Sequence, residues 1–159
     1  MSRRPTSASG GAGILSGGVG SCDACGVHTQ AKSQTVQVLI VDDQASFRRA
    51  ARGVVELTDG FDVAGEVTSG EASVEAARAF RPDLVLMDVH LPGIDGIEAC
   101  RRIRSAAVGV SPVIFLLSTY GPAEFAERTV ECGAAAYLPK AEFAPERLAS
   151  AWSATRGSS

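Results

Sequence analysis

Residues 84–93 read LVLMDVHLPG: four apolar residues, the acid Asp88, and then a turn built on Pro92 and Gly93. A short, continuous apolar run of this kind is typical of a strand buried on both faces, as in a parallel sheet. An acid at the carboxyl end of such a strand lies at the edge where open α/β sheets bind ligands. The stretch therefore predicts a central strand that delivers a carboxylate to a binding site.

Three other apolar runs lead to polar residues in the same way. One leads to Asp42 and Asp43, one to Ser118, and a shorter one passes through a proline to Lys140. The carboxyl ends of parallel strands meet at one edge, so three carboxylates, a hydroxyl and an ammonium should converge there. Mg²⁺ prefers such oxygen ligands, and an Asp carboxylate can form an aspartyl-phosphate. The pattern indicates a magnesium-dependent phosphoryl site with Asp88 as the acceptor.

From Thr35 onward, apolar runs alternate with stretches of helical period, which is typical of βα units around a parallel sheet. We expect strands near 36–41, 62–67, 83–88, 112–118 and 135–138. We expect helices near 44–58, 70–80, 95–106, 121–132 and 142–155. Thr68 with Glu71, and Asp95 with Glu98, form capping patterns for the second and third helices. The prediction is one doubly wound α/β domain.

The inner faces of the first two helices follow from the helical spacing of apolar and small residues. The residues expected there are Phe47, Ala50, Ala51, Val54 and Val55 in the first helix and Ser73, Ala76, Ala77 and Phe80 in the second. The fourth helix has the weakest apolar stripe, so it is a candidate contact surface.

The chain of 159 residues has the length of one domain. Residues 1–34 are rich in Ser, Gly, Ala and Thr, so we expect a flexible tail that cannot offset its ordering entropy. Residues 35–156 form the predicted domain, and residues 157–159 a short C-terminal tail.

Composition restricts the classes of partner. A net charge of −3 and a pI near 5.4 argue against a nucleic-acid-binding surface over the whole chain. No apolar stretch approaches the roughly 18 residues of a membrane span. Arg3 and Arg4 are not followed by an apolar block long enough for a secretion signal. We expect a cytoplasmic protein without membrane contact.

The four cysteines fall into two groups. Cys100 and Cys132 lie on predicted helices and read as small core residues. Cys22 and Cys25, with His28 nearby, lie in the predicted tail and offer three zinc ligands where a structural site normally has four. Two thiols in a flexible tail are the simpler interpretation, and metal binding there stays open.

Each predicted site residue also has a purely structural interpretation. Asp42 and Asp43 could be a helix N-cap with a neighbouring surface charge. Lys140 would pair with a phosphate oxygen, but an isolated loop lysine is ordinarily solvated. Ser118 would donate its hydroxyl to the phosphoryl group, or it could satisfy local backbone at a strand end. The four strand ends together favour the phosphoryl site.

Two residues near the predicted site have open roles. Tyr137 could be ordinary core, or an aromatic side chain that moves inward when Ser118 is drawn to phosphate. His90 could be a general base, but we expect its backbone carbonyl to face the metal and its ring to be a bystander.

Residues 36–156 resemble the receiver domain of bacterial two-component response regulators. The resemblance is carried by the acid pair Asp42-Asp43, the stretch DVHLPG that begins at Asp88, and the residues Ser118 and Lys140. The spacings of thirty residues from Asp88 to Ser118 and twenty-two from Ser118 to Lys140 also fit. The resemblance implies a flavodoxin-like, doubly wound, five-stranded parallel sheet in strand order 2-1-3-4-5.

The resemblance also implies the chemistry of the site. A sensor histidine kinase or a phosphotransfer protein would pass a phosphoryl group to Asp88. Mg²⁺ would be held by Asp43, Asp88 and the backbone carbonyl of His90, with Asp42 assisting. The domain would be a phosphoacceptor that assists its own phosphorylation and dephosphorylation, and not an enzyme acting on a separate substrate.

The implied output is a change of surface. Ser118 and Tyr137 would relay phosphorylation to a face made by the fourth helix, the fifth strand and the fifth helix, which would control a partner or an output domain. A second copy of the chain is a further candidate partner, and the domain itself would not contact nucleic acid. The wording from Asp95 to Arg104, DGIEACRRIR, is similar to receivers that carry a C-terminal helix-turn-helix.

The sequence departs from the family pattern at two positions near the site. Ala141 follows Lys140, where the family usually has a proline in a cis bond, and Pro139 precedes it. The residue after Ser118 is often small in the family, whereas it is Thr119 here.

Three alternatives remain at this level. The chain could be the receiver part of a DNA-binding transcriptional regulator, or a receiver-like module that dimerises without phosphate. It could also be an aspartate-nucleophile phosphatase. Such phosphatases usually have a second Asp two residues after the nucleophile, where this chain has His90.

Overall fold

Parallel strands alternate with helices throughout the computed structural model, which describes residues 35–119, 121 and 126–157. The strands are β1 (Val36–Val41), β2 (Phe61–Val67), β3 (Leu84–Asp88), β4 (Val113–Ser118) and β5 (Ala136–Pro139). The helices are α1 (Ala45–Leu57), α2 (Gly70–Phe80), α3 (Gly96–Ala106), α4 (Ala126–Cys132) and α5 (Pro145–Gly157). A short 3-10 helix, Lys140–Glu142, lies between β5 and α5.

The sheet has the strand order β2-β1-β3-β4-β5 with every neighbouring pair parallel, as predicted. From β1 the chain moves outward to β2 and then crosses back to β3 on the other side of β1. The topology therefore reverses between β1 and β3, and the loops after these two strands diverge from each other. Open α/β sheets bind ligands in the crevice formed at such a point.

Strand β3 shows why the sheet is covered on both faces. All five of its residues are buried, and successive side chains point to opposite faces. Leu84 and Leu86 join the core under α1 and α5, whereas Val85 and Met87 join the core under α2, α3 and α4. Burial of each such side chain contributes roughly 1.5–3 kcal/mol, so the two cores hold the strand ends firmly in place.

The predicted cap is correct for α3 and wrong by one residue for α2. The Asp95 side chain accepts a hydrogen bond from Glu98 N at 2.8 Å, as expected for an N-cap. The cap of α2 is Ser69, and not Thr68, since the Ser69 hydroxyl accepts from Ala72 N at 3.1 Å. Adjacent hydroxyl residues offer the same capping chemistry, so the sequence alone does not select between them.

Two residues expected on inner helix faces are exposed. Ala50 faces solvent on α1, and Phe80 is 50% exposed at the end of α2. The Phe80 ring nevertheless lies against β2, because a Cβ at Gly65 would come 2.5 Å from its ring. Phe80 therefore covers an edge strand, where one side of the ring stays in water.

The remaining differences lie at element ends. Helix α5 begins at Pro145, three residues later than predicted, because residues 140–142 form the 3-10 helix. Residues 122–125 and the predicted tail with Cys22, Cys25 and His28 lie outside the described residues.

Among the helices that are described, none combines the length and the apolarity needed to cross a bilayer.

Candidate functional site

Three carboxylates meet at the carboxyl edge of the sheet. Asp42 follows β1, Asp43 comes next, and Asp88 ends the neighbouring strand β3. One ligand oxygen from each lies within 4.8 Å of the others. Asp42 and Asp88 are 1% and 3% exposed, whereas Asp43 faces solvent. The site is therefore a crevice with two buried acids and one acid at its mouth.

Lys140 brings a positive charge into the same crevice from the end of β5. Its Nζ lies 2.5 Å from Asp42 Oδ2 and 3.4 Å from Asp88 Oδ2. Strand β4 separates β5 from β3, so the four-carbon stem carries the ammonium past the end of β4. Only 8% of the lysine side chain is exposed, which excludes a solvated loop lysine.

Backbone groups orient the two buried acids. Gln44 N donates to Asp42 Oδ1 at 2.8 Å, and His90 N donates to Asp88 Oδ1 at 3.2 Å. The N-cap position of α1 is Gln44, whose side chain makes no capping hydrogen bond. Asp42 and Asp43 therefore precede the cap, and the alternative that they serve only as an N-cap does not hold.

The environment of Asp88 disfavours its charge. Burial raises the pKa of the Asp88 carboxyl, and the negative charge of Asp42 raises it further. Lys140 and the N–H of His90 lower this pKa, but they do not offset the two larger effects. A cation placed among the acids would remove the repulsion, so the metal-free crevice is electrostatically unfavourable.

The donor set fits a hard divalent cation. Asp42 Oδ2 is a buried oxygen on which no hydrogen-bond donor is aligned, although the Lys140 ammonium is close. Three carboxylates with one at the mouth suit Mg²⁺, which takes oxygen ligands and keeps several waters. The residues present are therefore compatible with the predicted magnesium site.

Ser118 and Tyr137 lie near the carboxyl ends of the adjacent strands β4 and β5. Ser118 ends β4, is fully buried, and pairs in register with Pro139 of β5. Because Asp88 pairs with Leu117, the serine lies one residue beyond the acceptor along the edge. Tyr137 is half-buried and packs against the core under α2, α3 and α4. His90 lies in the loop after β3, with its residue exposed.

Close backbone packing shapes the loop after Asp88. A Cβ at Gly96 would come 2.2 Å from the Asp88 carbonyl oxygen, so only glycine fits there. Gly93 has a φ of +75°, in the region that favours glycine. The Glu71 carboxylate reaches this loop and accepts a hydrogen bond from Ile94 N at 3.1 Å. The start of α2 thus anchors the loop that carries His90.

The sequence did not predict two contacts of the site, both of which are made by side chains of α1. The Phe47 ring lies beneath the ammonium of Lys140, with 4.5 Å from Nζ to its centroid. Arg48 Nη1 donates to the Asp42 carbonyl oxygen at 2.8 Å, and its Nε lies 3.5 Å from Glu66 Oε1. The available signal was position: residues four and five places after Asp43 lie in the first turn of α1, beside this edge.

Comparison with known proteins agrees with this architecture. The family model described as "Response regulator receiver domain" matches residues 38–153. Response regulator GacA of Pseudomonas viridiflava is 37% identical over 105 residues, which cover 66% of this chain and 48% of that protein. Response regulator UvrY of Escherichia coli O6:H1 is 37% identical over 116 residues, which cover 73% of this chain and 52% of that protein. The chain thus spans about half the length of these relatives.

A solved structure supports the same assignment. The two-component response regulator of the LuxR family from Aurantimonas sp. SI85-9A1 superposes with a TM-score of 0.69 at 31% identity. The superposition covers 76% of this chain and 84% of that one. Fold and sequence similarity agree, and the chain belongs to the family of response regulator receiver domains.

Proposed function

We propose that Asp88 accepts a phosphoryl group from a phosphohistidine of a sensor kinase or a phosphotransfer protein, and that the modified domain then signals to a partner. The observation that carries this proposal is the buried Asp88 carboxylate, which lies close to both the acid pair and Lys140. A carboxylate with a purely structural role would ordinarily be stabilised by a single partner of opposite charge. Asp88 instead lies near the negative charge of Asp42, and burial strengthens the repulsion between the two.

The transfer itself is a displacement at phosphorus. An oxygen of the ionised Asp88 carboxylate forms a new P–O bond while the P–N bond of the donor breaks, and its electron pair leaves on the imidazole nitrogen. Lys140 lies 3.4 Å from Asp88 Oδ2, within reach of oxygens on a group attached there. Its ammonium favours the anionic form of Asp88 and then pairs with the phosphoryl oxygens.

The metal ligands in this proposal are Asp42, Asp43, Asp88 and the backbone carbonyl of His90. A Mg²⁺ ion held by these residues would supply charge shielding for the phosphoryl oxygens. The hydrogen bond from His90 N to Asp88 orients the carboxylate, and the bond from Gln44 N orients Asp42.

The switch in this proposal uses two contacts to the phosphoryl group. Moving a two-state equilibrium from about 1:99 to 99:1 requires roughly 5.5 kcal/mol of differential binding. A hydrogen bond to a charged group contributes roughly 1.5–3 kcal/mol, so Ser118 and Lys140 together nearly supply it and neither does so alone. Movement of Ser118 would then free space for Tyr137 and change the face formed by α4, β5 and α5.

The proposed output is control of a partner or of an output domain by that face. Support comes from relatives that are described as response regulators and whose own length the matched region covers to about half. We place this activity in the cytoplasm, where histidine kinases present their phosphorylated domains, and we assign no separate catalytic output to the receiver itself.

A covalent-labelling experiment tests the proposal. The purified protein is incubated with Mg²⁺ and acetyl phosphate, and the labelled residue is mapped by mass spectrometry after borohydride reduction. We expect label on Asp88 that disappears when a chelator removes the metal. Label on another acid, or undiminished labelling of Asp88→Asn, would contradict the assignment.

A further inference from the structure

The ammonium of Lys140 has an aromatic neighbour as well as two acidic ones. The centroid of the Phe47 ring lies 4.5 Å from Nζ. The lysine side chain is 8% exposed, so bulk water solvates it poorly. The face of an aromatic ring attracts a cation, and it does so more strongly when the cation is desolvated. The Phe47 ring is therefore placed to attract this charge.

A second ring restrains the first. The rings of Phe143 and Phe47 have centroids 6.2 Å apart and planes tilted by 41°, within the range of favourable aromatic pairs. Phe143 N donates to the Lys140 carbonyl oxygen at 3.2 Å, which closes the short 3-10 helix between them. The segment between β5 and α5 thus supplies both the ammonium and the second ring that contact Phe47. Side-chain contacts therefore connect α1 to Lys140.

We propose that Phe47 is a positioning residue for Lys140, whose ring keeps the ammonium beside Asp88 before a phosphoryl group is bound. An unrestrained lysine samples many rotamers of its flexible stem, and most of them leave the crevice. The rate of a step that needs one arrangement falls with the fraction of molecules that hold it. The effect on phosphorylation rests on the proposed function, but the positioning of the ammonium does not.

If Phe47 acted only by packing in the core, its replacement should have the same effect as replacement of a comparable core phenylalanine. Phe47 packs, partly buried, against the core under α1 and α5, as does Phe61, whose ring contacts Trp152 edge-on with centroids 6.0 Å apart. Replacement of either phenylalanine by leucine removes a similar apolar contact from the same core. Of these two rings, Phe47 is the one that faces the lysine, so Phe61→Leu is the matched control for lost packing.

The first test needs neither metal nor phosphate. In the metal-free protein, the ring current of Phe47 should shift the NMR signals of the Lys140 ε-methylene group upfield. We expect this shift to disappear in Phe47→Leu and to persist in Phe61→Leu and Phe47→Tyr. A Lys140 signal that is unchanged in Phe47→Leu would overturn the proposal, whatever the labelling experiments show.

The second test measures the rate at which acetyl phosphate labels Asp88 in the presence of Mg²⁺. We expect Phe47→Leu to slow labelling by between about threefold and thirtyfold, the range of a cation–π contact, and Phe61→Leu to leave the rate unchanged. Fluorinated phenylalanines at position 47 keep the volume but weaken the ring face, so labelling should slow as fluorines are added.

The fluorinated series also decides the matter if Phe47→Leu does not fold. A rate that is independent of fluorination, or equal in Phe47→Leu and the parent protein, would refute a role for Phe47 in phosphorylation. If the parent protein takes no label at all, the proposed function fails, while the NMR measurement still tests whether the Phe47 ring lies over the Lys140 ammonium.

Discussion

The ammonium of Lys140 lies 2.5 Å from Oδ2 of Asp42, nearer than it lies to any oxygen of the proposed phosphoacceptor. The lysine thus pairs with an acid of the proposed metal site. A cation bound there would compete with it for Asp42, and the lysine would become available to Asp88. Metal binding and lysine placement are therefore expected to be linked.

The first prediction concerns stability and pH. The folded-state pKa of Asp88 is raised above 3.8, mainly by burial, so its contribution to stability is present below the unfolded pKa and lost as pH rises through the folded pKa. Asp88→Asn should therefore stabilise the metal-free protein at pH 7, and by progressively less as pH falls towards the ordinary Asp range.

Chemical denaturation in a chelator-containing buffer at several pH values measures this difference. Lys140 keeps its contact with Asp42 in the variant, so no buried ammonium is left unpaired. An Asn variant that is less stable than the parent at pH 7 would contradict the account of the crevice as unfavourable without metal.

Mg²⁺ should stabilise the folded protein by mass action. At a concentration of about one hundred times Kd the gain is about 2.7 kcal/mol, which thermal unfolding detects easily. Asp43→Asn should reduce the gain, because Asp43 is the exposed ligand at the mouth and its loss leaves the buried contacts intact. Asp62→Asn, an exposed acid on β2, is the control and should keep the full response.

Ser118→Ala should separate phosphorylation from the switch. The variant retains the carboxylates and Lys140, so labelling of Asp88 should persist. Loss of one charged hydrogen bond removes roughly 1.5–3 kcal/mol of the roughly 5.5 kcal/mol that a complete switch requires. NMR shifts on α4, β5 and α5 after addition of beryllofluoride should therefore be smaller than in the parent protein.

The exposed neighbour Thr119 offers the control for that experiment. Thr119→Ala removes a hydroxyl one residue away without altering the buried serine. A full-sized beryllofluoride response in Ser118→Ala would refute the role assigned to the serine in the switch.

Replacement of Gly96 by alanine should destabilise the folded protein, whereas the same replacement of Gly53 should stabilise it. The added Cβ in Gly96→Ala would come 2.2 Å from the Asp88 carbonyl oxygen, so the loop after β3 must shift, at a cost of roughly 1–3 kcal/mol. Gly53 lies inside α1 with nothing within 4 Å of its added Cβ, and Gly53→Ala should stabilise the protein by roughly 0.5–1 kcal/mol. Denaturation midpoints of both variants check the contrast, and equal effects would contradict it.

Residues at strand ends were predictable because they follow from local pattern. The runs that lead to Asp42, Asp88 and Ser118 are apolar without alternation, and hydrophobic burial makes such runs internal strands. Parallel pairing then leaves their polar ends at one edge. The cap of α2 shows the limit of local pattern, since Thr68 and Ser69 are equivalent in the sequence and only Ser69 has the geometry to accept the bond.

Contacts between elements were not predictable. The sequence identifies Phe47 only as an apolar residue on a helix face and Glu71 as part of a capping box. In the structure, Phe47 contacts Lys140, and Glu71 accepts a hydrogen bond from Ile94 N. Both contacts join residues far apart in the chain. Their existence depends on how α1 and α2 lie on the sheet, which the spacing within each helix does not specify.

The amino-acid sequence by itself determined the alternation of strands and helices and the set of acids, hydroxyl and ammonium at one edge, because burial and backbone pairing act through periodicity along the chain. Only the tertiary structure decided that Lys140 pairs first with Asp42, that the Phe47 ring lies beneath its ammonium, and that burial and Asp42 together raise the pKa of Asp88. Electrostatic and aromatic contacts depend on distances of a few ångströms between separate elements, and packing of the whole domain sets those distances.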